Sequence, residues 1–283
     1  MSVPERRATK KPTGAAARPG RRRANTVRVE ERHVTDGANG LGTDADAETD
    51  PTDPTDVTLI GHRGCAGRHP ENTVAAVERA APHVDAVEVD VRRCASGELV
   101  VVHDAKLDRL TDASGRVADA DWEELRDLTV LDSAEPIPRL EGVFDAAPDD
   151  LLVNVELKQP GIASDALDAA RRAATDVLFS SFHAEALAAL RDRDPTTDRA
   201  LLVADGPPER AVDAATDLGC VAVHPPIDLA TEPGFVKTAH GAGLAVNAWT
   251  AADRGDAERL LAAGVDGIIA DRWDLSDGLP SRS

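Results

Sequence analysis

The chain has 283 residues, of which 42% are hydrophobic, and its formal net charge at pH 7 is -19. This length and apolar content suffice for one large domain, because barrel domains of about 200 to 250 residues form around a single core. The negative charge argues against binding to nucleic acids or anionic membranes, since the averaged field would repel both. An anionic ligand would therefore need a local positive site.

Basic residues are mostly arginine, and Asp is more frequent than Glu. The lysines are Lys10, Lys11, Lys106, Lys158 and Lys237. Short carboxylates keep a surface hydrated in concentrated salt, where the Debye length falls to about 3 Å at 1 M. The composition predicts a halophilic protein, and a large acidic functional patch is the alternative interpretation.

The cysteines, Cys65, Cys94 and Cys220, lack CxxC spacing, so neither a disulfide framework nor a zinc knuckle is indicated, and a reducing compartment fits. The chain has no apolar run of about 18 residues, and its N-terminus lacks the apolar segment of a signal peptide. We therefore expect a soluble, cytoplasmic protein without stable membrane insertion. The sequence does not predict an oligomeric state.

Residues 1–56 change from an Arg/Lys-rich stretch to a Thr/Asp/Gly/Pro-rich stretch, and neither part can bury a core. We expect a disordered N-terminal tail there. The basic part could bind an acidic partner or the protein's own surface, whereas a plain solvated tail or a misassigned start codon is the simpler interpretation. A barrel domain is expected over residues 57–276, followed by a short C-terminal tail at 277–283.

From Val57 onward, short apolar runs alternate with Ala-rich amphipathic stretches, which is typical of repeated βα units around a parallel sheet. The predicted strands are 57–61, 85–91, 151–157, 176–180, 199–204, 220–224, 244–249 and 266–270. The predicted helices include 71–81, 164–174, 184–192 and 251–264. Eight strands favour the α/β fold of a (β/α)₈ TIM barrel over an open sheet.

The second unit carries an insertion at about residues 104–138, after an additional extended run at 98–104. Because the insertion follows a strand, we expect it above the C-terminal face of the barrel, where barrel enzymes have their active sites. It is a candidate lid.

Acidic residues two positions apart on the second strand, Glu88 and Asp90, should point together toward the barrel axis. Glu156 and Lys158 share one face of the next predicted strand in the same way. Buried carboxylates at this density require a cation, and oxygen ligands favour Mg²⁺ or Ca²⁺. Alternatively, Glu88 and Asp90 form only buried salt bridges with Arg92 or Arg93.

Two histidines extend this cluster, because His62 with Arg63 follows the first strand and His103 ends the additional extended run. Imidazoles can divide the acid and base roles of a proton transfer. A divalent ion, three carboxylates, Arg63 and Lys158 sum to about +1, which suits a phosphodiester. Arg63 can bind two phosphate oxygens, whereas Lys158 supplies a compact charge.

The motifs HRG with PENT, ExD, VVxHD, RLTDxxG, VELK and a late WT resemble the glycerophosphodiester phosphodiesterase family over residues 57 to about 275. The resemblance implies a barrel enzyme that hydrolyses glycerophosphodiesters to glycerol phosphate and an alcohol through a cyclic phosphate. It implies one divalent metal ion, Mg²⁺ or Ca²⁺, on Glu88, Asp90 and Glu156, and substrate contacts from Arg63 and Lys158. His62 is the preferred base and His103 the preferred acid.

Other positions have weaker assignments. Glu71 and Asn72 could orient His62 and Arg63 or could belong to a helix cap. Phe182 and Trp249 could form an apolar wall for glycerol carbons or could be core residues.

Several histidines are also assigned only weakly. His183 and His224 lie at strand ends and could contact a leaving group, whereas surface positions are expected for His69, His83 and His240.

Two other functions remain open on the same barrel. One is a phospholipase-type phosphodiesterase acting on lipids, since HRG and ExD also occur in sphingomyelinase-type enzymes. The other is a non-catalytic phosphate-ester sensor with the basic tail as a partner-binding arm.

Overall fold

Eight parallel strands form a closed ring in the computed structural model, which describes residues 57–276. The predicted tails, 1–56 and 277–283, lie outside the described residues. Within these residues the strands are β1 (Thr58–Gly61), β2 (Ala86–Arg93), β3 (Leu99–Val101), β4 (Leu152–Leu157), β5 (Val177–Ser181), β6 (Arg199–Leu202), β7 (Ala222–His224), β8 (Ala245–Ala251) and β9 (Gly267–Ala270). The predicted TIM barrel is confirmed.

Helices lie between the strands on the outside of the ring. They are α1 (Val74–Ala80), α2 (Trp122–Leu125), α3 (Leu140–Ala146), α4 (Ala163–Ala170), α5 (Ala184–Arg193), α6 (Pro208–Asp217), α7 (Ile227–Ala230), α8 (Phe235–Gly241) and α9 (Arg254–Ala263). Short 3₁₀ turns occupy His62–Gly64, Val117–Asp119 and Trp273–Ser276. No helix within 57–276 is both long and apolar enough to cross a membrane.

The ring closes because β1 pairs in parallel with both β2 and β9. Strand β3 lies outside the ring and pairs antiparallel with the end of β2, with Val101 opposite Val91. The backbone N–H of Val102 then donates to the carbonyl of Asp90 at 2.8 Å. The additional extended run is therefore a hairpin arm that carries His103 to the C-terminal end of β2.

Alternation along the strands separates two environments, because successive side chains point to opposite faces. In β2, Val87, Val89 and Val91 pack in the core between the barrel and its helices, as the sequence pattern predicts. Inside the barrel, Ile60, Ala86 and Ile269 form an apolar cluster. Polar residues occupy interior positions nearer the C-terminal strand ends, where the site lies.

Helix α1 begins later than the sequence pattern suggests. The Oγ of Thr73 accepts a hydrogen bond from the backbone N–H of Ala76 at 3.1 Å, and the helix proper starts at Val74. Thr73 is thus the N-cap, a role that suits a short hydroxyl side chain. Glu71 and Asn72 precede the helix and are free to contact the site.

The insertion shares a small hydrophobic core with β3 and the segment that links β2 to β3. Its buried residues are Cys94, Val100, Val102, Leu107, Leu110, Val117, Leu125, Val130 and Ile137. The insertion is also joined to β3, since the backbone N–H of Val101 donates to the carbonyl of Pro138 at 2.9 Å. The insertion is therefore a packed subdomain at the C-terminal end of β2.

Arg199 joins two loops at the opposite end of the barrel. Its guanidinium donates to the carbonyls of Thr197 at 2.6 Å and Gly219 at 2.8 Å, and the residue is 3% exposed. We expect Arg199→Ala to lower the free energy of unfolding by about 2–4 kcal/mol, because both carbonyls lose a charged partner. Urea denaturation measures the loss, with the exposed Arg210→Ala as control. Equal stabilities of the two variants would contradict this role.

Candidate active site

The chain reverses direction immediately after β1, and this turn presents a backbone donor to the barrel interior. Arg63 has a left-handed backbone conformation (φ 50°, ψ 33°). Its N–H donates to Oε2 of Glu88 at 2.9 Å, while its carbonyl accepts from the N–H of Asn72 at 3.0 Å. The HRG turn is thereby tied both to β2 and to the segment before α1.

Three carboxylates meet at the C-terminal ends of β2 and β4. Asp90 is in register with Glu156, and Glu88, Asp90 and Glu156 each offer one oxygen within 4.8 Å of the others. Their exposed fractions are 4%, 1% and 8%. Oε1 of Glu88 is buried without a hydrogen-bond partner. Burial, together with the Asp90 and Glu156 charges, raises the pKa of Glu88 well above its usual value.

Asp90 differs from Glu88 because it has compensating partners. It accepts from the side-chain amide of Asn72 at 2.8 Å, and it lies 3.3 Å from both Lys158 Nζ and Arg63 Nε. Burial alone would raise the pKa of Asp90, but the charges of Lys158 and Arg63 outweigh burial and lower it. Lys158 also contacts Glu156 Oε1 at 2.6 Å. The charged side chains of Arg63, Asp90, Glu156 and Lys158 therefore form one buried network of ion pairs.

The alternative partners considered for the acidic pair lie elsewhere. Nε of Arg92 donates to the carbonyl of His103 at 2.8 Å, and Arg93 pairs with Asp165. The interpretation that Glu88 and Asp90 form salt bridges with Arg92 or Arg93 is therefore wrong.

Each of the two predicted histidines has a carboxylate on its Nδ1 atom. His62 Nδ1 lies 2.7 Å from Asp271, and His103 Nδ1 lies 2.6 Å from Asp104. A carboxylate on Nδ1 fixes the tautomer and the ring orientation, so Nε2 of each imidazole is left for a reacting group. Burial lowers the pKa of His103. Both residues line one cavity.

Glu71 lies between two guanidinium groups at the edge of this cavity. Its Oε1 accepts from Arg63 Nη1 at 2.8 Å, and Arg109 reaches both of its oxygens. Burial would raise the pKa of Glu71, but the hydrogen bonds and charges of the two arginines lower it. Glu71 therefore contacts the guanidinium of Arg63 directly.

The cavity has about 490 Å³ of empty space, open mouth included, and its wall combines neutral polar and aromatic groups. The amide of Asn154 and the hydroxyl of Ser180 are buried there without hydrogen-bond partners. Phe182 and Trp249 meet edge to face with ring centroids 5.7 Å apart, and Phe182 is 43% exposed. The two aromatic residues predicted as an apolar wall thus lie in the cavity wall with the charged cluster.

The remaining histidines have different environments. His224 lines the cavity but is fully buried, its Nε2 lies 3.0 Å from Asn247 Nδ2, and burial lowers its pKa to about 3. It is therefore neutral near pH 7. His183, in contrast, is not among the residues that line this cavity.

On the outer surface, His83 and His240 are exposed and His69 is partly buried. His83 stacks on Trp273 with centroids 4.5 Å apart, and His69 also contacts that ring.

Sequence reasoning did not single out Asp104, Asp271, Arg109, Asn154 or Ser180. Asp271 directly follows β9, so the rule that barrel sites follow strand ends would have found it. Asp104 belongs to the VVxHD motif beside His103, but the motif alone assigns it no role. Nothing local indicates that Arg109 reaches Glu71.

Gly64 is required by the HRG turn for two reasons. It has φ +74°, and an added Cβ would lie 2.8 Å from Cβ of Ala76 in α1. We expect Gly64→Ala to lower the free energy of unfolding by about 2–4 kcal/mol, from backbone strain plus overpacking. The matched control is Gly97→Ala, where φ is +106° but nothing lies within 4 Å. If thermal or urea unfolding shows that Gly64→Ala and Gly97→Ala lose the same free energy of unfolding, the contact with Ala76 does not contribute.

Comparison with known proteins places this geometry in a family. The glycerophosphoryl diester phosphodiesterase family model matches residues 62–275. A glycerophosphodiester phosphodiesterase of Caldanaerobacter subterraneus subsp. tengcongensis is 34% identical over 75% of this chain and 93% of its own length. One from Bacillus altitudinis is 31% identical over 75% of this chain and 94% of its own length.

A solved structure supports the same assignment. An Oleispira antarctica phosphodiesterase, in complex with the product sn-glycerol-3-phosphate, has a TM-score of 0.71 and 27% identity, covering 76% of this chain and 92% of that one. With the barrel, the motifs and the full-length relatives in agreement, this chain belongs to the glycerophosphoryl diester phosphodiesterase family of enzymes.

Proposed function

We propose that this enzyme hydrolyses glycerophosphodiesters to glycerol phosphate and an alcohol in the cavity at the C-terminal end of the barrel. The observation that carries the proposal is the joint lining of one cavity by His62, Arg63, His103, Glu156 and Lys158. The product bound to the Oleispira antarctica relative is the glycerol phosphate that this reaction would release.

The carboxylate cluster fits one divalent metal ion, Mg²⁺ or Ca²⁺. Glu88, Asp90 and Glu156 supply the oxygen ligands that these ions prefer, and Oε1 of Glu88 has no other partner. Burial also raises the pKa of Glu156, so the cluster is short of positive charge. When bound, the ion would supply charge that polarises a phosphoryl oxygen.

Arg63 and Lys158 are the proposed phosphate-binding groups. Both are largely buried, with exposed side-chain fractions of 16% and 11%, which strengthens their attraction for an anion. Arg63 can donate in a forked geometry while Glu71 holds its Nη1. Together they would stabilise charge that develops on the phosphoryl oxygens during the transition state.

The two histidines would carry the proton transfers. A glycerol hydroxyl next to the phosphate attacks phosphorus as one imidazole accepts its proton, and the other imidazole protonates the leaving alkoxide. Water then opens the cyclic phosphate with the two roles exchanged. Burial lowers the pKa of His103, and a neutral imidazole is the form that can accept the proton of an attacking hydroxyl.

Phe182 and Trp249 would contact the carbon atoms of the substrate. Their edge-to-face pair offers apolar surface in the same cavity wall as the charged groups. This placement would orient a diester with its phosphate at Arg63 and its carbon chain against the aromatic rings.

Replacing either histidine tests the catalytic proposal. We expect His62→Ala and His103→Ala each to lower kcat by about 10²–10⁴-fold, because each removes a general acid or base. Phosphorus NMR on glycerophosphocholine with added Mg²⁺ or Ca²⁺ measures the products. His240→Ala, on an exposed helix residue, is the control.

Other products would identify the alternative functions. A stable cyclic product from intact lipid, with no release of glycerol phosphate from the soluble diester, would indicate the phospholipase-type reaction. Tight binding of several diesters without turnover would instead indicate the phosphate-ester sensor.

Glu88→Gln tests the metal site through stability as well as activity. Because burial raises the pKa of Glu88 in the folded state, this group destabilises the metal-free protein as pH rises through that pKa. We therefore expect the metal-free variant to be more stable than metal-free wild type at pH 7–8, with the advantage shrinking as pH falls toward the usual Glu pKa of about 4.3.

Added metal should reverse this order. Mg²⁺ or Ca²⁺ at about 100 times its Kd should stabilise wild type by about 2.7 kcal/mol, whereas the variant should gain far less and lose activity. Thermal unfolding with chelator or metal provides the measurement, with Glu124→Gln in the exposed insertion surface as control. Full turnover of wild type in excess chelator would contradict the metal role.

A further inference from the structure

Arg109 makes an unusual set of contacts at the rim of the cavity. Its Nη1 and Nη2 donate to the two oxygens of Glu71, each at 2.8 Å. Its Nε donates to Oδ2 of Asp104 at 2.7 Å, with a longer contact of 3.3 Å from Nη2 to Oδ1. One guanidinium therefore holds two carboxylates from separate segments of the chain.

The backbone that carries Arg109 is fixed by the insertion core. The neighbouring residues Leu107 and Leu110 are 4% and 2% exposed and belong to that core. The N–H groups of Leu110 and Thr111 both donate to the carbonyl of Leu107 at 2.9 Å. The side chain of Arg109, which is 46% exposed, thus extends from a packed turn.

Both carboxylates held by Arg109 contact groups of the proposed chemistry. Asp104 holds Nδ1 of His103 at 2.6 Å, and Glu71 holds Nη1 of Arg63 at 2.8 Å. A continuous chain of charged hydrogen bonds therefore runs from His103 through Arg109 to Arg63. The pKa of Asp104 is lowered to about 2, mainly by the hydrogen bond from Arg109, so this carboxylate stays ionised.

We propose that Arg109 is a positioning residue that sets the separation between the imidazole of His103 and the guanidinium of Arg63. This inference rests on the proposed function for the roles of those two groups. Arg109 itself does not line the cavity. It acts by joining Asp104, which directly follows His103 and holds its imidazole, to Glu71, which holds the guanidinium of Arg63.

The bridge requires the shape of arginine as well as its charge. A guanidinium presents donors in a rigid planar fork and can satisfy two carboxylates at once, whereas an ammonium is a compact point charge on a flexible stem. Lysine at this position would keep the charge balance between Glu71 and Asp104. It would not keep their geometry.

The test compares Arg109→Ala and Arg109→Lys with Arg116→Ala in the full chain. Arg116 is an exposed arginine of the same insertion whose Nε lies 4.0 Å from Asp119. Because small displacements of reacting groups lower the rate strongly, we expect kcat on glycerophosphocholine to fall by about 10- to 100-fold in both Arg109 variants. KM should change less than about threefold, since Arg109 does not contact substrate. Arg116→Ala should match wild type.

A double variant separates positioning from general destabilisation. If Arg109 acts through Asp104, adding Asp104→Asn to Arg109→Ala should reduce kcat little further, because the two changes break one unit. The proposal would be overturned if the kcat losses of the two single variants multiplied in the double variant. It would also be overturned if a lower fraction of folded protein accounted for the whole fall in kcat. If Arg109→Ala does not fold, the Arg109→Lys variant provides the test, and a wild-type kcat in that variant would overturn the proposal.

A measurement without substrate keeps this inference distinct from the proposed function. In protein carrying ¹⁵N-labelled histidine, the Nδ1 proton signal of His103, assigned with His103→Gln, should be present in wild type and Arg116→Ala. It should be weakened or lost in both Arg109 variants. An unchanged signal would overturn the positioning role, whereas absence of glycerophosphodiester turnover in wild type would refute only the proposed function.

Discussion

Three carboxylates buried on two adjacent strands are the constraint around which this site is organised. Glu88, Asp90 and Glu156 are all less than a tenth exposed, and ionised groups of one sign at this spacing cannot remain buried together without compensation. The HRG turn supplies a backbone donor, Asn72 an amide, and Lys158 an ammonium. The charge still missing is the one that a divalent ion would provide.

The groups that surround the three carboxylates come from distant parts of the chain. The HRG turn follows β1, and Asp271, the partner of His62, follows β9. The β3 arm places His103 near Asp90. A parallel barrel gathers the C-terminal ends of all its strands at one rim, so residues about 200 positions apart meet without long loops. Arg63 and Lys158 provide two positive charges for an anion within a protein of net charge -19, because both are enclosed with the acids.

Much of the fold was predictable because its signals are local. Eight apolar runs of strand length and the alternation in β2 indicated both the barrel and the inward direction of Glu88 and Asp90. The start of α1 was less predictable, because the residues from Glu71 to Thr73 are equally compatible with a helix N-cap and with a loop. The hydrogen bond from the N–H of Ala76 to the hydroxyl of Thr73 identifies Thr73 as the N-cap.

The parts of the site that were not predicted depend on pairs formed across the fold. His62 meets Asp271 over a separation of 209 residues, and Arg109 meets Glu71 over 38. No periodicity or motif spacing encodes such a pair, because its geometry arises only when the barrel closes. Asn154 and Ser180 were missed for another reason, since a neutral polar residue inside an apolar strand gives no charge signal.

The separate core of the insertion has a consequence for the durability of the enzyme. The segment that follows His103, with Asp104 and Arg109, is held by the small cluster around Leu107, Leu110 and Ile137. Strand β3, which leads to His103, contributes Leu99 and Val101 to the large core between barrel and helices. Segments with few buried apolar contacts open at lower free energy than the body of a domain. We therefore expect the insertion to open before the barrel when the protein is heated, and we expect better packing of the insertion core to extend the working half-life without altering the barrel.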